Sequence, residues 1–261
     1  METKKSYETA KDRLLTAEIP QETRTYKPIS HQQLIDLTLE SIHQAGFDLQ
    51  EEIYSSAKEG NVANGKYVIK NVADSEMQLQ IGWQNSYDKS LSLKFAIGTR
   101  ILVCSNGCVS GDYGAFKKKH VGQVQTFTPN AITEYIKQAG EAFRRIQMER
   151  DQLKNIELTK RTSAELLGRL FFEENILQST QMNIIRGQME NPSFDYGCPG
   201  SMWELYQHGT YAMKEIHPSL WMNSHIELHS FFVNESGILV NSMNKEIAEE
   251  APSPFIQLEM F

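Results

Sequence analysis

The sequence predicts an α+β fold in which an antiparallel β-meander is preceded by one helix and followed by a long helix and a smaller helical region. Three observations support this prediction. Apolar residues recur at helical spacing over residues 34–42, alternate with polar residues over 77–97, and return to helical spacing over 132–153. A spacing of three to four residues is typical of an amphipathic helix, whereas alternation is typical of a strand with one buried face.

The first part of the chain, residues 1–29, alternates charged with small polar residues. This composition predicts a flexible N-terminal arm with a short helix over residues 7–17. Ser30 then has the character of a helix N-cap, and Gly46 that of the residue ending the helix that follows. We therefore place the start of the folded domain at residue 30.

The segment over residues 47–112 has the signals of an antiparallel meander of about four to six strands. Extended segments are predicted at residues 47–57, 67–69, 77–82, 91–97 and 101–103. Turns rich in glycine, asparagine and aspartate are predicted at residues 58–65 and 85–89, and a hairpin turn at Asn106-Gly107.

The helical part of the predicted domain covers residues 125–235. Thr128 and Pro129 have the order of an N-cap and a first helical residue, and the apolar stripe beyond them predicts one long helix. Thr162 and Glu165 match a capping box for the next helix. Two further helices are predicted over residues 201–214 and 219–232.

The last part of the chain, residues 241–261, is acidic and contains two prolines. Such a composition predicts a flexible tail. The body of the protein is thus predicted to be a single α+β domain over residues 30–240.

Composition limits the classes of protein to which the chain can belong. No stretch approaches the roughly 20 apolar residues that span a bilayer, and the charged N-terminus lacks the apolar core of a signal peptide. Three cysteines are too few and too odd in number for a disulfide framework. We therefore expect a cytoplasmic protein that does not enter a membrane.

The formal net charge of −7 opposes non-specific attraction to the phosphates of nucleic acid. Any contact with DNA would therefore require a local basic patch, stacking by aromatic side chains, or tethering to a partner that is already on DNA.

The last five residues have the order Gln257-Leu258-Glu259-Met260-Phe261 and resemble the short peptides with which bacterial replication proteins bind the sliding clamp. The resemblance implies that Leu258, Met260 and Phe261 fill an apolar cleft on the clamp, while the amide of Gln257 bonds at its rim. The alternative is that these residues form an edge strand or a terminal helix packed on the body.

A second resemblance concerns the body of the chain. Residues 85–90 are Asn-Ser-Tyr-Asp-Lys-Ser, and residues 100–107 are Arg-Ile-Leu-Val-Cys-Ser-Asn-Gly. Together they resemble the phage- and plasmid-borne family filed as domain of unknown function 932, and the resemblance extends over residues 30–235. The residues that resemble its later helical segment are Ser201, Trp203, Leu205, Tyr206 and Thr210. The resemblance implies a mobile-element origin and no assigned reaction.

The order of helix, β-meander and long helix is also somewhat similar to the core of single-strand annealing recombinases. This second comparison concerns the fold alone and implies no function by itself.

Basic residues near aromatic residues suggest a surface for single-stranded DNA, because bases stack on aromatic rings while lysine and arginine contact phosphates. The predicted nucleic-acid-binding residues are Lys117, Lys118, Lys119, Arg144, Arg145, Arg150, Lys160, Arg161, Tyr113 and Phe116. The alternative is a solvated basic face that Glu141, Glu149 and Asp151 balance.

Other candidate sites have simpler explanations. Asn85, Asp88 and Asn106 are favoured as turn residues, and Cys104 and Cys108 as ordinary cysteines, because no further zinc ligands follow at a standard spacing. Cys198 has no neighbouring histidine that would act as its base. No phosphate-binding loop, serine elbow or paired-acid motif is present, so we expect neither catalysis nor a cofactor.

These observations predict a non-catalytic accessory protein of DNA replication or recombination, encoded by a phage or plasmid, that is recruited to the sliding clamp and binds single-stranded DNA. One alternative is a host-directed protein that inhibits the clamp or a defence system without contacting DNA. Another is a metal-dependent enzyme that uses His217, His225 and His229. Self-association into a homo-oligomer is left open by the sequence.

Overall fold

The computed structural model describes residues 7–104, 107–110, 116–118, 124–214 and 216–250, with side chains over 7–104, 129–214 and 216–241. Its helices are α1 (Lys11–Leu15), α2 (His31–Gln44), α3 (Val124–Lys137), α4 (Ala139–Lys154), α5 (Lys160–Phe172), α6 (Ser179–Glu190), α7 (Met202–Ala212) and α8 (Pro218–Glu250). Its strands are β1 (Leu49–Ala57), β2 (Val62–Ala73), β3 (Met77–Ser86), β4 (Leu93–Ile101), β5 (Gly107–Ser110) and β6 (Phe116–Lys118), with a 3₁₀ turn at Lys58–Gly60. The predicted α+β class is confirmed.

The strands form one antiparallel sheet in the order β1-β2-β3-β4-β5, and β6 also pairs with β4. β5 pairs with residues 97–100 of β4, and β6 pairs with residues 93–95 of the same strand. The two short strands therefore follow one another along the outer side of β4. This arrangement is the predicted meander, extended by a broken edge strand.

One face of the sheet forms the main hydrophobic core. Alternate residues of β3, among them Leu79, Ile81 and Trp83, are fully buried on this face. The helices α2 and α4 supply much of the opposing apolar surface through side chains such as Ile35 and Phe143. Burial of alternate side chains is the arrangement that the period-two pattern of β3 predicts.

The opposite face of β3 is polar, and it is buried as well. Gln78 and Gln80 are 8% and 6% exposed, and Gln84 is fully buried. The start of α8 covers part of this face, because the carbonyl oxygen of Pro218 accepts hydrogen bonds from Gln84 and Asn64, at 2.6 and 3.0 Å. β3 is therefore an internal strand and not a half-solvated one, whereas β1 remains partly exposed.

The N-terminal arm differs from the predicted flexible segment. Leu14, Tyr26 and Ile29 are at most 5% exposed, and the backbone of residues 7–9 exchanges hydrogen bonds with β1 at Tyr54 and Ser56. An edge strand has unpaired N–H and C=O groups, and pairing with β1 satisfies some of them. The folded body therefore includes the arm from residue 7.

The long helix predicted after Pro129 is two helices. α3 begins at Val124, so Pro129 lies inside it and is not its first residue, and the chain passes from α3 to α4 at Gln138. The hydroxyl of Thr159, and not that of Thr162, caps α5 by accepting a hydrogen bond from the backbone N–H of Thr162. The helix α6 is an element that the sequence patterns did not single out.

The predicted tail begins later than expected, because residues 241–250 belong to α8. Acidic residues are compatible with a helix when the helix is already nucleated, since each added residue then contributes one backbone hydrogen bond. Within the part of the chain that the structure describes, no helix has both the length and the apolarity needed to cross a bilayer.

Gly65 should be intolerant of any side chain. A Cβ atom at this position would lie 2.5 Å from Cε2 and Nε1 of Trp83, its cross-strand partner. We expect Gly65→Ala to lower the free energy of unfolding by about 1–3 kcal/mol, because a buried ring would have to shift. Urea denaturation measures this value.

The matched control is Gly187→Ala in α6, where a Cβ atom would meet nothing within 4 Å. This substitution should raise stability by up to about 1 kcal/mol, since alanine has the higher helix propensity. Equal effects of the two substitutions would contradict the close contact between Gly65 and Trp83.

Candidate nucleic-acid interface

Asn85, near the end of β3, joins three parts of the fold. The side-chain amide of Asn85 donates to the carbonyl oxygen of Ile29 at 3.0 Å and lies 3.1 Å from Nδ1 of His31. Nε2 of His31 lies 2.9 Å from the carbonyl oxygen of Gly60. Because that oxygen can only accept, Nε2 carries the proton and Nδ1 accepts from Asn85. The imidazole thereby fixes the end of β3 against the start of α2.

Tyr87 and Asp88 extend the same network. The hydroxyl of Tyr87 accepts from the backbone N–H of His31 at 2.8 Å, and the two rings are stacked with centroids 4.0 Å apart. Asp88 pairs with Lys58 at 2.7 Å. Partial burial would raise the pKa of Asp88, but hydrogen bonds from Lys58 and Ser90 outweigh it and lower the pKa to about 2. The contacts of Asp88 are therefore those of a structural turn, the role that the sequence favours. The prediction of Asn85 as a turn residue is wrong, because Asn85 lies within β3 and its amide bonds to the distant residues Ile29 and His31.

The histidines of the metal-enzyme alternative do not converge on a metal site. Nδ1 of His229 lies 3.1 Å from the hydroxyl of Tyr206, and its Nε2 lies 3.0 Å from a carboxylate oxygen of Glu149. Both ring nitrogens are thus engaged between α4, α7 and α8. Nδ1 of His217 instead accepts from the hydroxyl and backbone N–H of Ser219. Among the described residues, no three potential ligands are grouped closely enough to hold a metal ion.

The cysteines with described side chains have unremarkable surroundings for thiols. Cys104 is buried, and Cys198 is partly exposed in the loop before α7. The thiol of Cys198 lies 3.4 Å from the carbonyl oxygen of Tyr196. The side chain of Cys108 lies outside the described residues.

Arg150, one of the predicted DNA-binding residues, braces α4 against the β2–β3 turn. Its guanidinium pairs with Asp74 and Asp151 and lies 3.4 Å from Glu76. Lys154, one turn later, pairs with Glu76 as well. The side chain of Arg150 is only 11% exposed, so these carboxylates take most of its hydrogen-bonding capacity.

The other predicted arginines and lysine of α4 and α5 are exposed. Arg145 pairs with Glu141, and Arg161 pairs with Glu165, each four residues apart on its helix. Such surface pairs contribute little and exchange readily with solvent. Arg144 and Lys160 are also exposed. These four residues remain accessible to an anionic partner.

The predicted basic segment that contains Lys117 partly forms β6. The register places Lys117 opposite Lys94, Lys118 opposite Leu93 and Phe116 opposite Phe95. Lys94 donates a hydrogen bond to the side-chain oxygen of Asn223 in α8. The predicted residues that lie outside the described part of the chain are Tyr113, Lys119, Gln257, Leu258, Met260 and Phe261.

A small cleft beside β1 and β2 contains basic residues that the sequence reasoning missed. It has a volume of about 50 Å³ and is lined by Tyr7, Glu8, Ile53, Ser55, Lys66, Lys214, Ile216, Pro218 and Trp221. The ammonium of Lys66 lies 4.2 Å from the ring centroid of Trp221. Lys66 and Trp221 are far apart in sequence, and no local pattern links them.

A second cavity lies between the end of α5 and the outer side of α8. It has a volume of about 370 Å³ and is lined by Glu174, Ile176, Glu227, Ser230, Phe231, Asn234 and Glu235. Phe172, two residues before Glu174 in the sequence, is 79% exposed. The acidic lining makes this groove unsuitable for phosphates and more suitable for a basic protein segment.

The sequence matches the family described as "domain of unknown function 932" over residues 22–216, which is about three quarters of the chain. The chain belongs to this family. No curated protein and no solved structure matches the sequence.

The region matched by domain of unknown function 932 contains the six strands that the structure describes, together with the turn at Asp88 that follows β3. It ends at Ile216, two residues before α8 begins. The helix that covers the polar face of the sheet, and the residues beyond it, therefore lie outside the family match.

The brace between Asp74 and Arg150 should make the fold sensitive to acid. Partial burial would raise the pKa of Asp74, but hydrogen bonds from Gln147, from two backbone N–H groups and from Arg150 lower it to about 2. A carboxyl with a depressed pKa in the folded state stabilises the fold above its unfolded value of about 3.9, and this contribution is lost as pH falls toward 2.

We therefore expect Asp74→Asn to be less stable than the wild type at pH 7 and to approach wild-type stability near pH 2. Urea denaturation at several pH values measures the difference. In an Arg150→Gln background, Asp74→Asn should lower the free energy of unfolding by less, and that loss should depend less on pH. A difference that does not change between pH 5 and pH 2 would contradict this role of Asp74.

Proposed function

We propose that this chain is a non-catalytic accessory protein of DNA replication or recombination. In this proposal its basic surface binds single-stranded DNA, and its C-terminal peptide binds the bacterial sliding clamp. A phage or plasmid origin is part of the same proposal, because it follows from the resemblance and not from a measured property of the chain.

The observation that carries the DNA-binding part is the register of β6 on β4. Lys117 lies directly opposite Lys94, and Lys118 is its neighbour on the edge strand. The ammonium of Lys94 is buried and donates to Asn223. In this proposal, the charges that phosphates neutralise are therefore those of Lys117 and Lys118 on the edge strand.

The exposed basic residues of α4 and α5 support the same proposal. Arg144, Arg145, Lys160 and Arg161 offer positive charge on a protein whose mean charge is negative. Each phosphate that such residues neutralise releases counterions, and binding therefore weakens as salt rises. Arg150 is not expected to contribute directly, because its guanidinium is held by Asp74 and Asp151.

Tethering explains how an acidic protein could act on DNA. A peptide that holds the protein on a clamp raises its effective concentration near the DNA that the clamp encircles. Burial of Leu258, Met260 and Phe261 would contribute roughly 4–8 kcal/mol before the costs of ordering the tail, which is compatible with micromolar affinity.

The second candidate function is a host-directed interaction protein that does not contact DNA. The acidic groove lined by Glu174, Glu227 and Phe231 favours this alternative. Aromatic residues in a groove are common anchors of protein interfaces. Clamp binding without any retention on single-stranded DNA would favour this candidate over the first.

Substitution of the β6 lysines should weaken binding to single-stranded DNA. We expect Lys117→Gln/Lys118→Gln to lower affinity for a fluorescent oligothymidine at least tenfold and to reduce the salt dependence by about one unit of slope per lost contact. Fluorescence anisotropy over a salt series measures both values. Arg144→Gln/Arg145→Gln should have an effect of the same direction.

The matched control is Arg186→Gln, which removes an exposed arginine of α6 that pairs with Glu190 one turn later. Lysines on an edge strand can also serve to prevent sheet-to-sheet aggregation. That role predicts aggregation of the Lys117/Lys118 variant with unchanged DNA affinity, and such a result would refute the proposed interface.

Removal of residues 257–261 should abolish clamp binding, because it deletes all three apolar anchors. Leu258→Ala and Phe261→Ala should each weaken binding about tenfold or more, whereas Glu259→Gln should leave it within about twofold, since that side chain is not an anchor. Surface plasmon resonance on immobilised clamp measures the affinities. Equal binding by the full-length and shortened chains would remove the recruitment part of the proposal.

A further inference from the structure

The polar face of the sheet carries a row of hydrogen-bonding residues that crosses four strands. Ser55, Asn64, Gln84 and Lys94 occupy facing positions of β1, β2, β3 and β4. The register continues this row to Lys117 of β6, on the proposed DNA-binding edge. Because residues at facing positions lie on the same face of a sheet, the row leads from that edge toward the centre of the sheet.

Two amides in the middle of this row are incompletely satisfied. The carbonyl oxygen of Pro218 can only accept, so the NH₂ groups of Asn64 and Gln84 face it, and their oxygens are left for another donor. Both residues are at most 1% exposed, and neither amide oxygen accepts a hydrogen bond from any residue that the structure describes. Buried polar groups are normally paired. The start of α8 therefore covers the row without completing its hydrogen bonds.

A small apolar contact, separate from the main core, holds the start of α8 on this face. Trp221 and Met222 form a cluster with Ala96 of β4. The ring of Trp221 lies against Gly82, where a Cβ atom would be 3.0 Å from it. Leu228, two turns later in α8, belongs to the main core instead. Release of residues 218–226 from the sheet would therefore leave the main core in place.

The bases of a single strand of nucleic acid would complete the hydrogen bonds of this row. Each base has donors and acceptors side by side on its edge, so one side-chain amide can donate to a base and accept from it. Asn64 and Gln84 can make both bonds, whereas Pro218 engages only their donors. Four adjacent strands span about 14 Å at roughly 4.8 Å between neighbours. A four-stranded sheet in RNA-recognition modules takes two or three bases on one face.

We infer that residues 218–226 of α8 are an autoinhibitory cover, and that the row beneath them binds the bases of single-stranded DNA when the cover is released. The inference rests on the proposed function, in which the β6 edge contacts phosphates. The row and the edge would thus bind different parts of the same strand. The family match ends at residue 216, so it includes the row and excludes the helix that covers it.

Two fluorescent probes of equal length separate base recognition from phosphate contact: oligothymidine and an abasic oligodeoxynucleotide. Trp221→Ala should release the cover, because it removes the largest side chain of the apolar cluster on the sheet. We expect it to raise affinity for oligothymidine about tenfold, the size of one good base contact. Affinity for the abasic probe should stay within about twofold, since the phosphate contacts of the β6 edge are unaltered. Fluorescence anisotropy measures both affinities.

Gly82→Ala releases the same contact from the side of the sheet, because its Cβ atom would press on the ring of Trp221. It should have a smaller effect in the same direction. The matched control is Leu220→Ala, since Leu220 adjoins Trp221 in α8 but is 45% exposed, against 6% for Trp221. This variant should match the wild type with both probes. Circular dichroism and urea denaturation check that each variant is folded.

Gln84→Met in the Trp221→Ala background tests the row itself. The cover is already released there, so loss of the amide should abolish the gain with oligothymidine and leave the abasic probe unchanged. Hydrogen exchange of the wild type follows the cover directly. Oligothymidine should raise deuterium uptake in peptides from residues 217–226, because bound bases displace them, whereas the abasic probe should not.

The outcomes distinguish this inference from the proposed function. Equal gains with the two probes, or equal gains for Trp221→Ala and Leu220→Ala, would overturn the inference, because neither gain would depend on the row. If the wild type binds oligothymidine through the β6 lysines, and folded Trp221→Ala and Gly82→Ala variants bind it no better, the cover is wrong and the proposed function stands. Binding by Trp221→Ala but not by the wild type, lost again with Gln84→Met, supports the cover. If neither protein binds oligothymidine, the inference and the DNA-binding part of the proposed function both fail.

Discussion

The fold depends on the satisfaction of polar groups on a strand that is buried on both faces. β3 alternates apolar with polar residues, yet its whole length is shielded from solvent. Its apolar half packs in the main core, as any amphipathic strand would. Its polar half requires hydrogen-bonding partners, since an unsatisfied buried amide costs about 1–3 kcal/mol. The start of α8 provides one such partner, because the carbonyl oxygen of Pro218 accepts hydrogen bonds from the side-chain amides of Gln84 and Asn64.

This constraint explains which parts of the fold the sequence could predict. The alternation over residues 77–97 is a local property, so it predicted β3 and β4 correctly, whereas the extended segment predicted at residues 101–103 is a turn from residue 102 onward. The same alternation implied a solvated polar face, because nothing near β3 in sequence announces a covering helix. α8 begins 132 residues after Ser86 in the numbering of the chain. Contacts between segments so far apart leave no periodic signal in either one.

The predictions of where helices begin were right or wrong for a related reason. Ser30 caps α2 with the full capping box that its position predicts, since all the atoms involved lie within four residues. Pro129 was misplaced because a proline is tolerated in the first turn of a helix and can also lie farther inside one, at an energetic cost that packing offsets. Thr159 and Thr162 are both acceptable caps, and the backbone geometry selected the earlier one.

The candidate site was predictable to a smaller extent. Turn chemistry at Asp88 could be predicted because short polar side chains bond to nearby backbone in most contexts. The role of Asn85 could not, because its amide bonds to the carbonyl oxygen of Ile29, 56 residues earlier in the chain. The commitment of Arg150 to Asp74 could not, because the pair joins residues 76 positions apart. For the same reason, the proximity of Lys66 to Trp221 becomes visible only when the sheet and α8 are placed together. A count of basic residues along the sequence therefore includes some that are committed to carboxylates, such as Arg150, and misses some that the fold brings together with an aromatic ring, such as Lys66.

The length of α8 means that a small rotation at one end of the helix produces a large displacement at the other. Its 33 residues span about 50 Å at 1.5 Å per residue. One end lies against the sheet beside Asn64, and the other end is Glu250. If the helix rotates as a rigid body, a tilt of about 10° at the sheet displaces its far end by about 9 Å. Any group that displaces Pro218 and tilts α8 would therefore move Glu250 through a distance comparable to the diameter of a helix.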